Sequence, residues 1–286
     1  MSAPPTAVAQ VKLRLLRRPR RAGVAIAAFV LAVLLLAAAA PGWLTSFAPD
    51  GVDPINTLAA PSGAHWLGTD QVGRDVFARL VYGARASLEI GIGATVLGVL
   101  AGSALGLVAG LAGPIGDGVL MRVIDVLLAF PPLLLALLII ALAGPSTFNA
   151  TVAIAVAAAP GYARLLRGQA LVVRRSGYVE AAVGLGVAWP RVVVRHVLPN
   201  SLGPLLVLAT IGIGETILAG ASLSFLGLGP RPPAAEWGLM LSDGRDYLAD
   251  AWWIAVCPGV AITSAVIAIT VVGRDLQSRF RGAPRT

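Results

Sequence analysis

The sequence has very few of the side chains that carry catalysis or metal binding. Its 286 residues include one cysteine, Cys257, one lysine, Lys12, and two histidines, His65 and His196. A single cysteine excludes an internal disulfide, and with two histidines it does not make up a zinc cluster. A nucleotide-binding P-loop needs a lysine after a glycine-rich turn, and Lys12 lies in no such context. The chain is therefore expected to bind neither ATP nor a metal ion itself.

Charged residues are also scarce, at 13% of the chain, whereas soluble domains have about 25%. Hydrophobic residues make up 57%, mean hydropathy is +0.83, and uncharged runs long enough to cross a bilayer recur along the chain. In a soluble protein the net charge of +8 could indicate nucleic-acid binding. Here the basic residues flank apolar runs, where they orient a membrane protein, so no nucleic-acid partner is expected.

Six apolar runs are predicted to cross the membrane as helices. The first covers residues 23–42 and follows a basic segment, 1–22. A cleaved signal peptide is the alternative interpretation, because the alanines at 38–40 resemble a cleavage site, but the run is longer than the usual apolar region of a signal. The other five lie within 87–273, at about Ser87–Ala112, Leu120–Ala143, Phe148–Tyr162, Leu202–Ala219 and Ala251–Gly273. The predicted fold is an all-α integral membrane protein with six transmembrane helices.

The distribution of basic residues orients these helices. Most of the 22 lie at 1–22, at 274–286 or in the polar loop 164–200. Because Lys and Arg accumulate on the cytoplasmic side, both chain ends and the loop 164–200 are predicted to be cytoplasmic. The segments 43–86 and 220–250 are then external. Five arginines fall outside in this topology, Arg74, Arg79, Arg85, Arg231 and Arg245.

Two features inside the predicted spans bear on packing. Glycines recur every fourth residue of the second span, and small residues at this spacing let helix backbones approach closely in lipid, so they predict a packing face. Pro131-Pro132 lies midway along the third span. Consecutive prolines are expected to kink that span, which is tolerated where protein or a cavity satisfies the freed carbonyls. The glycines are Gly98, Gly102, Gly106 and Gly110.

Two acidic residues lie inside predicted spans. Glu215 is placed in the fifth span as a buried acid, at a depth where an unpaired charge is costly. It is a candidate for the transport pathway, or else a protonated or paired structural group. Asp125 lies near the start of the third span, one turn from Arg122. It is either a pathway or gate residue or half of an interfacial ion pair, which helical spacing favours.

The loop 164–200 is amphipathic, carries six arginines and cannot span a bilayer. Its middle is predicted to form two short helices that are broken at Ser176-Gly177 and at Trp189-Pro190, because proline is favoured at a helix start and disfavoured inside one. A compact, exposed loop of this kind is predicted to dock onto another protein. The alternative is a helix-turn-helix connector between two spans.

This loop resembles the EAA loop of permease subunits in bacterial ABC importers, and we refer to residues 164–200 as the EAA loop. In that family the loop forms a coupling helix that sits in a cleft on the ATP-hydrolysing subunit. The resemblance implies that the two alanines are small so that the helix can enter the cleft, that the glycine lets the helix stop, and that Leu-Pro closes the loop before the fifth span. The residues that carry it are Glu180, Ala181, Ala182, Gly186, His196, Leu198 and Pro199.

Two external segments resemble the C-type permease subunits of dipeptide, oligopeptide and related nickel importers. The first, His65–Gly93, contains GTDQVGRD, and the second contains SFLGLG followed by EWGLML. From the residues alone, the four charges of the first segment are close enough for interfacial ion pairs, and a solvated turn before a helix is the alternative. These charges are Asp70, Arg74, Asp75 and Arg79.

The resemblance implies a type I ABC importer permease (MetI-like) fold and a bacterial cell-membrane location. The subunit would form half of the pathway for dipeptides or other short peptides, in a heterodimer with a homologous permease and surrounded by membrane lipid. ATP-binding subunits would dock inside and an extracytoplasmic peptide-binding protein outside. ATP and Mg are expected on the partner ATPase, with no cofactor and no enzymatic activity on this chain. The alternatives are an oligopeptide or nickel-chelate permease and an autonomous secondary carrier, although a carrier would usually need a relay of buried ionisable groups.

Overall fold

The structure is a computed structural model that describes residues 18–282, and within this range the chain contains helices and no strand. The ends of the predicted cytoplasmic segments, 1–17 and 283–286, lie outside the described residues. The helices are α1 Arg18–Ala39, α2 Val76–Leu111, α3 Gly113–Ala129, α4 Pro132–Ala143, α5 Thr147–Arg174, α6 Gly177–Gly184, α7 Trp189–Val192, α8 Leu198–Phe225, α9 Trp237–Gly244 and α10 Trp253–Gly282.

Four helical stretches within residues 18–282 are long and apolar enough to cross a membrane. A fifth crossing results if α3 and α4, which meet at 92°, form one broken span. Helix α5 has 28 residues but is less apolar, because Arg164 and Arg167 lie in its second half. The predicted six crossings are reached only when α5 is counted as well. The four stretches are Ala22–Ala39, Val76–Leu111, Trp189–Phe225 and Trp253–Ser278.

The helices extend beyond the predicted apolar runs. Helix α2 begins at Val76 and not at Ser87, because the Asp75 carboxylate accepts a hydrogen bond from the Ala78 amide at 2.6 Å and caps the helix. Helix α5 continues to Arg174, well past the predicted end at Tyr162. Hydropathy detects only the apolar part of a helix, whereas backbone hydrogen bonding continues into its polar ends.

Residues assigned to polar segments are likewise helical in part. The outer stretch 220–250 contains the end of α8 and all of α9, and α10 runs on from Gly273 to Gly282. At the other end of the chain, α1 stops at Ala39, and Pro41–Trp43 forms a separate turn of 3₁₀ helix inside the predicted 23–42 span. Several helix ends therefore differ from the ends of the predicted segments.

The double proline breaks the third span completely. Phe130 and Pro131 have extended backbone, with ψ of 136° and 127°, and α4 begins at Pro132. Proline lacks an N–H and disfavours helical conformation in the residue before it, so two in succession end one helix and begin the next. The expected kink is thus a 92° break between two helices.

The glycine stripe of α2 packs directly against the backbone of α5. A Cβ added at Gly102 would overlap the carbonyl oxygen of Ala159, and one added at Gly106 would overlap that of Ala163. Only glycine lets the two helices come this close, and the predicted packing face is confirmed.

A cap covers the N-terminal end of α2, and we define it as residues 44–75 together with 226–250. Its apolar interior includes Trp237 of α9 and packs against Trp253 of α10, and both rings are buried. The Trp253 indole donates a hydrogen bond to the carbonyl oxygen of Thr69 at 3.0 Å, and the Trp237 indole donates to that of Leu80 at 2.9 Å. Two chain segments far apart in sequence are thereby joined at the same end of the helix bundle.

Candidate functional site

The EAA loop folds against its own helices. Helix α5 runs through its first part, and α6 and α7 then begin at Gly177 and Trp189, so both predicted breaks are confirmed. Helix α7 continues through a turn of π-helix, Val193–Val197, directly into α8. The loop is therefore a rigid connection between α5 and α8 and contains only short non-helical links.

A small apolar cluster holds α6 in place. Ala182 belongs to this cluster and is only 9% exposed, whereas its neighbour Ala181 is exposed. Successive residues of a helix point about 100° apart, so the two alanines cannot both face a partner's cleft. Ala182 packs α6 on its own chain, Ala181 is open to a partner, and the fit of the helix into a partner's cleft stays a prediction. The buried members of the cluster are Ala170, Val179, Ala182, Val192 and Val197.

The opposite face of α6 is open. Glu180 is exposed and forms no ion pair with any side chain described within 22–278. Gly186 has φ of +81°, which glycine adopts at little cost, and its amide donates to the carbonyl oxygen of Val183 at 2.9 Å. Gly186 lies two residues after Gly184, the last residue of α6, where the resemblance expects a glycine to let the helix stop.

Sequence reasoning missed the most exposed apolar residue of the loop. Leu185, between Gly184 and Gly186, is 85% exposed, and Val183 beside it is also exposed. A large apolar side chain held in solvent at a turn suggests a protein contact. The signal in the sequence was a leucine flanked by two glycines, Gly184 and Gly186, in an amphipathic loop.

The remaining motif residues lie at the base of the loop. Leu198 and Pro199 form the first turn of α8 and do not close a separate loop before it, because proline in a first helical turn costs no hydrogen bond. His196 lies in the π-helical turn with its ring edge-on to that of Tyr178, the centroids 6.3 Å apart. Nearby, the Arg174 guanidinium stacks over the Trp189 ring at 5.2 Å and joins α5 to α7.

A cavity of about 260 Å³ lies where the α3–α4 break meets α5 and α8. Pro132, Tyr162 and Glu215 line it among mainly small or aliphatic side chains. Glu215 is exposed and lines this cavity. The prediction that Glu215 is buried is therefore wrong. Residues on both sides of the α3–α4 break, Leu128 and Pro132, line the same cavity.

Asp125 lies outside this cavity. Its carboxylate pairs with Arg164 of α5, not with Arg122, and both partners are more than half exposed. Close by, Asp117 of α3 pairs with Arg167 of α5. The two pairs join neighbouring helices, which agrees with the ion-pair interpretation of Asp125 although the predicted partner was wrong.

The cap contains a buried charge network. Asp70 accepts from the Arg74 guanidinium at 2.6 Å, and the Asp75 carboxylate accepts from the His65 ring nitrogen Nδ1 at 2.8 Å. The four predicted charges are all buried, so the solvated-turn alternative is wrong. The ion pairs are present, but Asp75 pairs with His65 and not with an arginine.

Arg79 and Asp243 complete the network. Arg79, 2% exposed, donates to the carbonyl oxygens of Pro49, Pro233 and Ala234 at 3.1 to 3.2 Å. Burial raises the pKa of Asp243, while the nearby positive charges of Arg74 and Arg79 oppose that rise. Within residues 18–282 no cluster of three His, Cys, Asp or Glu side chains could hold a metal ion.

The profile of the family described as binding-protein-dependent transport system inner membrane component matches residues 102–282. The chain is 42% identical over 252 residues to the probable D,D-dipeptide transport system permease protein DdpC of Escherichia coli K12, covering 87% of this chain and 85% of that protein. It is 43% identical to the dipeptide transport system permease protein DppC of Alkalihalophilus pseudofirmus, over 85% of this chain and 80% of that one. Glutathione transport system permease protein GsiD of Pectobacterium atrosepticum is 40% identical, over 91% and 87%.

Among solved structures, a chain of the inward-facing MetNI methionine ABC transporter superposes on this one. The TM-score is 0.57 at 20% sequence identity, and the match covers 70% of this chain and 95% of the other. At that identity the similarity concerns the fold alone, and it indicates the helical arrangement of an ABC importer permease.

Proposed function

Because the chain belongs to the family of binding-protein-dependent transport system inner membrane components, we propose that it forms half of the pathway through which an ATP-driven importer takes up dipeptides or other short peptides. It is a permease subunit located in the bacterial cell membrane. The observation that carries the peptide class is about 40% identity, over most of the chain, to permeases named for dipeptide, D,D-dipeptide and glutathione transport.

The proposed topology has six crossings, α1, α2, α3 with α4, α5, α8 and α10. An even number puts both chain ends on one side of the membrane, and the arginines of the EAA loop and the two ends favour the cytoplasm. The cap then lies outside. The broken helix α3–α4 counts as one crossing because irregular backbone at membrane depth is tolerated where protein or a cavity surrounds it.

The proposed partners follow from this placement. A homologous permease subunit supplies the other half of the pathway, an ATP-binding subunit contacts the EAA loop, and an extracytoplasmic peptide-binding protein delivers substrate to the cap. ATP and Mg belong to the ATP-binding subunit, since the sole lysine, Lys12, lies in no P-loop. This chain contributes passage and no catalysis.

The loop geometry supports a mechanical role. A partner that moves α6 also moves α5, because the cluster around Ala182 packs α6 on Ala170 of α5. It moves α8 as well, since α7 continues into α8 without a non-helical residue. Both helices line the cavity that contains Glu215. Closure of the ATP-binding subunits would therefore reach the pathway through packed helices, which switch between discrete arrangements.

Uptake by the reconstituted assembly tests the proposed function. The chain, its homologous permease, the ATP-binding subunits and the binding protein are placed in liposomes with a labelled dipeptide. We expect uptake that requires hydrolysable ATP and is absent with a non-hydrolysable analogue, because the chain has no energy source of its own. Dipeptide accumulation by this chain alone, driven by a proton gradient, would instead identify a secondary carrier.

A further inference from the structure

The cavity beside the α3–α4 break has a single charged lining residue. Its volume of about 260 Å³ is near the lower end of small-molecule pockets, which span about 300–1,000 Å³. Apart from Glu215, the polar side chains among the described lining residues are those of Tyr162 and Thr216. Such a cavity suits a small ligand that is mostly apolar and carries one positive group.

The Glu215 carboxylate is free to receive that group. Among the side chains that the structure describes, those of residues 22–278, it has no ion-pair and no hydrogen-bond partner, although it faces a largely apolar wall. The neighbouring Thr216 hydroxyl already has hydrogen-bond partners. It bonds to the carbonyl oxygen of Gly91 and to the hydroxyl of Thr95, both at 2.8 Å. A carboxylate left unpaired at membrane depth is costly unless a cation meets it.

Tyr162 lines the same cavity as Glu215 and carries a hydroxyl group. Its ring is buried and is fixed between two glycines, since a Cβ added at Gly102 would crowd the tyrosine Cβ and one added at Gly212 would overlap the hydroxyl. Gly212 lies three residues before Glu215 and so shares its face of α8. Among the described residues the Tyr162 hydroxyl has no hydrogen-bond partner.

We propose that Glu215 and the Tyr162 hydroxyl bind the α-ammonium group of a peptide as it passes through the membrane. An ammonium group has three donors and needs acceptors, which a carboxylate and a hydroxyl provide. The aliphatic wall accommodates the peptide side chain and selects little, which fits cargo of varied sequence. The inference rests on the proposed function and deepens it by assigning the recognition of one chemical group.

The test is ATP-driven dipeptide uptake by the full assembly containing Glu215→Gln, with the ATPase rate stimulated by the binding protein measured in parallel. We expect uptake to fall at least about tenfold, since hydrogen bonds to charged groups are worth about 1.5–3 kcal/mol. ATPase stimulation should remain near that of the wild type, because the substitution alters one side chain in the cavity and none in the EAA loop. Glu215→Asp, which keeps the charge, should recover most of the uptake, and Tyr162→Phe should lower it by a smaller factor.

The matched control is Glu89→Gln, because Glu89 is an exposed acid on α2 that pairs with Arg85 and does not line the cavity. It should leave uptake unchanged. Wild-type uptake in Glu215→Gln overturns the inference, and so does loss of the homologous permease on purification, which would assign Glu215 to a contact between subunits. If the wild-type assembly shows no ATP-dependent uptake, the proposed function itself fails, and the inference fails with it.

Discussion

Leu185→Asp is expected to release the ATP-binding subunit from the purified assembly and to abolish uptake. Leu185 is 85% exposed in the EAA loop and directly follows α6, which packs on its own chain through the buried cluster. Burying a leucine against a partner contributes about 1.5–3 kcal/mol, and an unpaired aspartate in its place adds a desolvation penalty. The affinity of the two subunits should therefore fall at least about a hundredfold. Co-purification and subunit titration measure this loss.

Leu185→Met is the control for that experiment. It keeps apolar volume at the same position and is expected to retain both binding and uptake. The folded state should be unaffected in either variant, because Leu185 contacts none of the buried cluster that fixes α6. An Asp variant that binds the ATP-binding subunit as tightly as the wild type would remove Leu185 from the interface.

Arg79→Met is expected to loosen the cap. Its guanidinium donates to three carbonyl oxygens in two segments, 44–75 and 226–250, and lies 3.7 Å from the Asp70 carboxylate. Removing it takes the donor from these part-buried carbonyl oxygens and a positive charge from beside the buried Asp70. Breaking a buried charge network of this kind costs about 3–5 kcal/mol. We expect faster hydrogen exchange and faster proteolysis in the cap, and a lower unfolding temperature of the protein.

Arg85→Met provides the comparison on the same helix. Arg85 is 66% exposed and pairs with Glu89 one turn away, an arrangement worth about 0.3–0.5 kcal/mol at most. Arg79→Lys should recover little, because an ammonium group cannot reproduce the planar fork of donors. Equal effects of the Arg79 and Arg85 substitutions would show that the cap does not depend on its buried network.

Features set by local backbone chemistry could be predicted from the sequence. The breaks at Ser176-Gly177 and Trp189-Pro190 follow from what proline and glycine allow, and the glycine stripe of α2 follows from its spacing. Hydropathy located the apolar runs but not the ends of the helices. Asp75, for example, caps α2 before the apolar run begins, and that effect depends on one side-chain hydrogen bond.

Features set by distant contacts could not be predicted. Asp125 pairs with Arg164 on another helix, and only the packing of α3 on α5 brings them together. Ala181 and Ala182 look alike in the sequence, yet only the second faces the buried cluster. The exposure of Glu215 likewise belongs to a cavity that residues of α3, α4, α5 and α8 line together, and no local pattern predicts it.

The direct test of the coupling role is photocrosslinking from the tip of the EAA loop. A photoreactive residue is placed at position 185 of the full assembly, and for comparison at Ile55 in the cap, which is 92% exposed. We expect position 185 to crosslink to the ATP-binding subunit and position 55 not to do so. A crosslink to that subunit from position 55, or none from position 185, would contradict the proposal that force enters the permease through this loop.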